Sequence, residues 1–278
     1  MAKLNLDYYQ NENEYSDGPI EKEILAIIKS GVDFQEVIAK DNRWPILYHL
    51  SHLRENILNW YDFKKDSSLL EIGAGCGAIT GMLCDKVKKV TSVELTKDRS
   101  ETIYERHKEK ENLEIIVGNF HNIKFKEKFD YIVLNGVFEY AASFTKTENP
   151  YLDLLVELKR LLKVDGTLLI AIENRLGLKY FNGAPEDHLN TLFSGLDQYQ
   201  YSNEVKTFSS KEIELLIDKA GYQAYKFYFP YYDYKFPDAI YTTESMGILE
   251  NNAVVKPGYD QKRFSFFDEE KMVYTLIE

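Results

Sequence analysis

A chain of 278 residues suits one large domain, or one domain with appendages, and can bury a sizeable core. Its 44% apolar and 28% charged composition is ordinary for a globular protein, and a net charge of −11 argues against a broad phosphate-binding surface. Nucleic acid is therefore not an expected partner. Cys76 and Cys84 form neither a disulfide framework nor a zinc set. No signal-peptide pattern opens the chain, and no apolar run approaches the ~20 residues of a membrane helix, so a cytoplasmic chain without membrane insertion is expected.

Residues 1–19 are polar, as in Asn11-Glu12-Asn13-Glu14, and read as a loosely ordered start. Residues 20–62 read as a helical cap. The first helix begins at Ile20 and stops near Gly31, a second begins near Asp33, and a third follows Trp44-Pro45. From Ser67, strands and helices alternate: strand Ser68–Ile72, helix Ala78–Lys86, strand Val90–Leu95, helix Lys97–Lys110, strand Leu113–Val117, strand Asp130–Leu134, helix Pro150–Leu162, strand Gly166–Ile172. Alternation with short continuous apolar strands implies a parallel sheet covered by helices on both faces. The stretch at about 173–207 is too long for a simple connection and reads as a substrate-covering insertion. A capping box at Ser209–Glu212 then opens a helix, followed by a strand Gln223–Phe229 closed by Pro230. The core thus spans 63–235. Residues 236–278 read as a C-terminal extension, cut from a longer protein if the helical pattern of Phe267–Ile277 continues.

The chemistry concentrates at Leu70-Glu71-Ile72-Gly73-Ala74-Gly75-Cys76-Gly77. Alternate glycines between strand and helix let the backbone approach a ligand and aim free N–H groups at it. The loop satisfies a dinucleotide fingerprint, with Glu94 at the right distance, and equally an S-adenosylmethionine loop. Glu71, on the strand where a dinucleotide site is usually apolar, favours the latter, because a carboxylate there can face a cationic amino-acid moiety. Glu94 can accept both ribose hydroxyls, Leu95 can lie on adenine, and Asn119 can bond the adenine edge.

These segments resemble class I S-adenosylmethionine-dependent methyltransferases. The glycine loop looks like motif I, Val93-Glu94-Leu95 like motif II and Val117-Gly118-Asn119-Phe120 like motif III. Phe129–Tyr140 resembles motif IV, and Leu158–Ile170 the helix, turn and strand after it. The resemblance implies a doubly wound, mostly parallel seven-stranded sheet of the Rossmann-like methyltransferase kind, with the helical cap added in front. It implies S-adenosylmethionine as cofactor, held by Glu71, Gly73, Ala74, Gly75, Gly77, Glu94, Leu95, Asn119, Phe120, Asn135, Gly136 and Arg54. Two positions depart from the pattern: Asn119 stands where aspartate is usual, and Tyr140 where motif IV often has histidine.

Ala171–Phe181 and Gly183-Ala184-Pro185-Glu186-Asp187-His188 further resemble a bacterial subgroup linked with glycosyltransferases and surface-polysaccharide synthesis. That implies a small-molecule or glycan hydroxyl as acceptor, with fusion to or association with glycosyltransferase domains. N-methylation of an amine or protein side chain, and a non-catalytic cofactor-binding scaffold, are the alternatives. A hydroxyl acceptor must lose a proton, and His188 is the candidate base, or else it bonds loop backbone. Glu139 either orients the acceptor or is a structural carboxylate. Arg54 either forks onto the cofactor carboxylate or pairs with Glu55 at the surface. No Asp/Glu/His spacing along the chain indicates a metal, so a metal-independent enzyme is expected.

Overall fold

The fold is that of a computed structural model describing residues 1–10, 17–201, 205–231 and 233–248. The expected helix at Phe267–Ile277 lies outside the described residues. The chain divides into two compact units, Met1–Val137 with Leu158–Ile170, and Phe138–Glu157 with Ala171–Glu278.

The first unit is built on strands β1 (Lys3–Asn5), β2 (Ser68–Ile72), β3 (Lys89–Glu94), β4 (Leu113–Val117), β5 (Phe129–Asn135) and β6 (Leu162–Ala171), ordered β1-β4-β3-β2-β5-β6. From β2 the chain adds β3 and β4 on one side, then crosses to place β5 and β6 on the other. Ligands bind at such a reversal, beyond the carboxyl ends of the strands. The glycine loop leaves β2 at this point. Its neighbours β3 and β5 are both parallel to it, with Glu71 opposite Ser92 and Ile72 opposite Leu134. Leu69, Leu70, Val90, Ile115 and Ile132 are fully buried, as continuous apolar strands covered on both faces require.

Among the described residues six strands form this sheet where seven were expected, and one of them arises from the polar N-terminal stretch. Lys3–Asn5 pairs parallel with β4, where Lys3 forms an ion pair with Glu114 at 2.7 Å. Polar composition hid this strand because it lies at the sheet edge with one flank in solvent. β6 starts four residues before the expected Gly166, its extended backbone running through the anticipated turn.

In the N-terminal stretch, helices span Ile20–Ser30, Phe34–Lys40 and Trp44–Leu50. Gly31 closes the first with φ +68°, and the Asp33 side chain caps the second by accepting from the Gln35 N–H. Ile24, Ile28, Ile46 and Leu50 pack with Cys76 of the glycine loop in one buried cluster. Both thiols are buried, which pushes each pKa up to about 12 and leaves them as inert apolar side chains.

In the second unit, β7 (Tyr228–Tyr231) and β8 (Ala239–Thr242) form a separate antiparallel ribbon. Pro230 sits inside β7 rather than closing it. A two-stranded ribbon leaves one flank of each strand unpaired, so the missing N–H costs no ladder bond. Of the strand expected at Gln223–Phe229, only Tyr228 and Phe229 lie in β7. The capping box at Ser209 and Glu212 opens the helix Ser210–Lys219 as predicted, and Glu212 also pairs with Arg175 at 2.7 Å. Among the described residues, no helix is long and apolar enough to cross a membrane.

Candidate functional site

Gly73, Gly75 and Gly77 all take positive φ, at +69°, +58° and +73°. They differ in what surrounds them. A Cβ on Gly73 would lie 2.5 Å from Val137, and one on Gly77 would press on His107, but one on Gly75 would meet nothing within 4 Å. Gly75 therefore marks the side of the loop that faces open space.

The loop is held from several directions. Gly73 and Ala74 donate their N–H groups to the Val93 carbonyl, and Gly75 donates to the Glu94 carboxylate at 2.8 Å. From the helix Lys97–His107, Arg106 donates to the Cys76 carbonyl and the His107 ring bonds the Gly77 carbonyl at 2.8 Å. A carbonyl only accepts, so His107 Nε2 carries the proton in this bond. Burial, reinforced by the charge of Arg106, lowers the His107 pKa to about 4, so the ring is neutral. Sequence reading missed Arg106 and His107, because their partners lie thirty residues away and no local pattern marks them.

The predicted cofactor residues gather at the strand ends of this unit. Glu71 is buried and accepts from Thr80 and Ser92, and burial pushes its pKa up to about 7. Glu94 is buried at the end of β3, and burial raises its carboxyl above the usual range, against the pull of Arg99 and of the Thr96 and Gly75 N–H groups. Leu95 beside it is half-buried. Asn119 spends its side-chain oxygen on the His121 N–H, so its amide NH₂ is what remains to meet a ligand. Gly118 brings the backbone of Tyr8 close, since a Cβ there would lie 2.5 Å from the Tyr8 carbonyl oxygen. Asn135 ends β5 with its Oδ1 buried and without a hydrogen-bond partner among the described residues, and Gly136 follows at φ +71°.

Two predicted cofactor residues are less plainly placed. Phe120 is buried, its ring packed with His121 and Phe125. Arg54 is buried rather than at the surface, with its guanidinium 4.1 Å over the Tyr48 ring and bonded to the Tyr48 hydroxyl. The open face at Gly75, the unpartnered Asn135 oxygen and two buried carboxylates fit a ligand with a cationic amine and a ribose. S-adenosylmethionine is such a ligand.

The second unit gathers the two predicted reaction residues. Glu139, on the turn Phe138–Tyr140, is 1% exposed, and Glu173 is 5% exposed. His188 Nε2 lies 3.5 Å from a Glu139 oxygen and 4.0 Å from a Glu173 oxygen, while Nδ1 bonds Glu186 at 2.9 Å. Glu186 also accepts from the His188 and Leu189 N–H groups and from the Tyr199 hydroxyl. Lys235 bridges Glu173 and Asp187, and Lys179 joins Asp187 to Asp233. In the segment that follows His188, Asn190, Phe193, Gln198 and Tyr199 all take positive φ, a costly backbone conformation that the surrounding contacts must hold.

This setting alters the reading of His188. Burial alone would lower its pKa, but contacts with Glu139 and Glu186 and the charge of Glu173 raise it to about 10. The ring is thus a cation at neutral pH, not the free base expected from its ordinary pKa near ~6.5. Nor does it merely bond loop backbone. Burial raises the Glu139 carboxyl, and the nearby charge of Glu173 adds to that shift. Sequence reading did not assign Glu186 and Lys235 to this cluster; Glu186 stood in the quoted Gly183–His188 stretch, but Lys235 is remote in sequence.

Residues 70–170 match the family model described as a methyltransferase domain. The chain is 33% identical to an uncharacterized methyltransferase of Staphylococcus carnosus over 114 residues, 41% of this chain and 51% of that protein. It is 27% identical to the malonyl-[acyl-carrier protein] O-methyltransferase of Priestia megaterium over 124 residues, 44% of this chain and 42% of that protein. It is 32% identical to the ribosomal RNA small subunit methyltransferase A of Fusobacterium nucleatum over 71 residues, 26% of this chain and 27% of that protein. The chain thus spans about half the length of the first of these relatives and less of the others.

The ribosomal RNA methyltransferases among the relatives overturn the expectation that nucleic acid is excluded as a partner. Net charge averages a whole surface, whereas an acceptor meets one patch of it, so −11 was no ground for exclusion. Residues 70–170 thus match a methyltransferase domain, and S-adenosylmethionine is the cofactor to which that match points.

Proposed function

We propose that this protein transfers the methyl group of S-adenosylmethionine to a hydroxyl oxygen. Bound at the glycine loop, the cofactor supplies an electrophilic sulfonium methyl. Glu94 would take the ribose hydroxyls, Leu95 and Asn119 the adenine, and Glu71 the amine end. Asn135 and Gly136 would meet the cofactor beyond β5, and Arg54 would take its carboxylate. The observation that carries the hydroxyl acceptor is the pair of buried carboxylates in the second unit. Glu139 Oε2 and Glu173 Oε2 have no hydrogen-bond partner among the described residues. Such oxygens are costly unless a donor meets them, and a hydroxyl is a donor. Sugar hydroxyls come first in the acceptor set, following the resemblance of 171–188.

Calorimetry with S-adenosylmethionine, S-adenosylhomocysteine and NAD tests the donor; binding of the first two and not the third is expected. Transfer of labelled methyl to sugars, carboxylic acids, amines and small-subunit ribosomal RNA tests the acceptor. A hydroxyl acceptor yields a methyl ether that survives alkali. Label found only in amines or in alkali-labile esters sinks this reading.

The pKa of Glu71 makes a further expectation. With the carboxyl at about 7, only its ionised form pairs with the amine, so affinity falls on acidification. Calorimetry with S-adenosylhomocysteine should show about a tenfold weakening per pH unit below 7, and Glu71→Gln should flatten that slope. A wild-type slope equal to the variant's would exclude Glu71 from the amine contact.

A further inference from the structure

We propose that Glu139, Glu173 and the Nε2 atom of His188 form a binding site for one divalent transition-metal cation, with Mn²⁺ and Zn²⁺ as its natural occupants. No spacing along the chain marks this set, because its members come from three separate segments. The fold brings one ligand atom from each to within 4.8 Å of the other two. The edges of 3.5 Å from His188 to Glu139 and 4.0 Å from His188 to Glu173 lie close to what a shared centre needs. Bonds of about 2.1 Å give ligand–ligand edges of roughly 3.0–3.4 Å, so closing the site draws the three ligand atoms together by up to about 1–2 Å.

Two independent observations point to a cation rather than to a merely acidic corner. Glu139 and Glu173 are each more than nine-tenths buried, and each keeps an oxygen with no hydrogen-bond partner among the described residues. A buried carboxylate oxygen left so is costly unless a cation or donor meets it. The second observation is the orientation of His188. Glu186 is surrounded by donors and acts as an acceptor, so Nδ1 keeps its proton, and Nε2, facing the two carboxylates, gives up its own to solvent when the metal binds. Carboxylate-to-histidine support of this kind fixes the ring of most metal-binding histidines. The mixed imidazole and carboxylate donor set suits Mn²⁺ or Zn²⁺ better than Mg²⁺, which favours all-oxygen shells.

The surrounding charges leave room for it. Among the described residues, the cations paired with Glu139, Glu173, Glu186, Asp187 and Asp233 are Lys179, Lys235 and His188. Lys235 takes Oε1 of Glu173 and leaves Oε2 directed to His188. The use of such a cation rests on the hydroxyl-acceptor reading above: an oxygen bound to it loses its proton to bulk water more readily. Binding of the cation does not depend on that reading.

The test uses the full chain, stripped with EDTA and desalted. Free Mn²⁺ is followed by its paramagnetic resonance signal, and Zn²⁺ by calorimetry. One cation per chain with a micromolar dissociation constant is expected. Glu173→Gln and His188→Ala should each weaken binding by about 100-fold or more, and Glu186→Gln, acting through the ring, by roughly 10–100-fold. Circular dichroism and cofactor affinity check that each variant folds; should His188→Ala fail to fold, Glu139→Gln carries the same comparison. Absence of saturable binding of either metal below about 1 mM in the wild type overturns the site, as does unchanged affinity in folded Glu173→Gln. Cation binding without hydroxyl methylation leaves the site standing and removes the acceptor reading. Hydroxyl methylation with no cation binding does the reverse.

Discussion

Gly75→Ala is expected to weaken S-adenosylhomocysteine binding by about 100-fold or more while costing only about 1–2 kcal/mol of stability. Gly73→Ala is expected to do its damage in the opposite place. Both glycines have positive φ, so each alanine bears the left-handed backbone cost. Only at Gly73 does the new methyl collide with the protein, 2.5 Å from Val137, a stiff β-branched side chain. Overpacking adds about 1–3 kcal/mol there, for a total near 2–5 kcal/mol. At Gly75 the methyl enters open space, where a nucleoside ligand would need the backbone bare. Urea denaturation and calorimetry on both variants separate the two effects. Binding by Gly75→Ala within about threefold of wild type would show that the ligand does not lie against this residue.

Acidification from pH 6.5 to 4 should remove about 2–3 kcal/mol of stability through His107 alone. The folded ring has a pKa of about 4, lowered by burial and by Arg106, against about 6.5 in the unfolded chain. Between those values the unfolded state binds the proton and the folded state does not. Stability is therefore fully present above about 6.5 and lost as pH falls toward 4. Carboxylates also titrate in acid, so the useful quantity is the difference between wild type and His107→Leu. That variant leaves the buried Gly77 carbonyl without its donor and costs roughly 1–3 kcal/mol at pH 8. The gap between the two stability curves should shrink as pH falls through the window. Parallel curves would mean that His107 titrates alike in both states. The same residue supports the glycine loop, so its loss should also weaken cofactor binding.

The elements legible in the sequence were those whose pattern is local. The runs around Leu70 and Ile132 alternate with helical stretches, and Gly31, Asp33, Pro45 and Ser209 punctuate helices through backbone rules that need no distant partner. What escaped was contextual. β1 is polar because it lies at an edge, and Pro230 is tolerated inside β7 because that strand belongs to a two-stranded ribbon. Among the described residues the sheet has six strands, without the seventh that the resemblance implied. At the site, Glu71, Glu94 and Asn135 were identifiable because each ends or precedes a strand end, where chain order places ligand-facing groups.

By itself the sequence determined a glycine loop between strand and helix, with carboxylates at Glu71 and Glu94, and hence the kind of cofactor. Those features are spaced by the repeat of strand, turn and helix, which the chain carries in its own periodicity. Only the tertiary structure decided that His107 and Arg106 clamp the loop and that Gly75 alone among its three positive-φ glycines faces open space. It likewise decided that His188 is a cation among Glu139, Glu173 and Glu186 rather than a free base. Protonation and ligation depend on which charges lie within a few ångströms, and residues 15 and 49 positions from His188 reach that distance only in the folded chain.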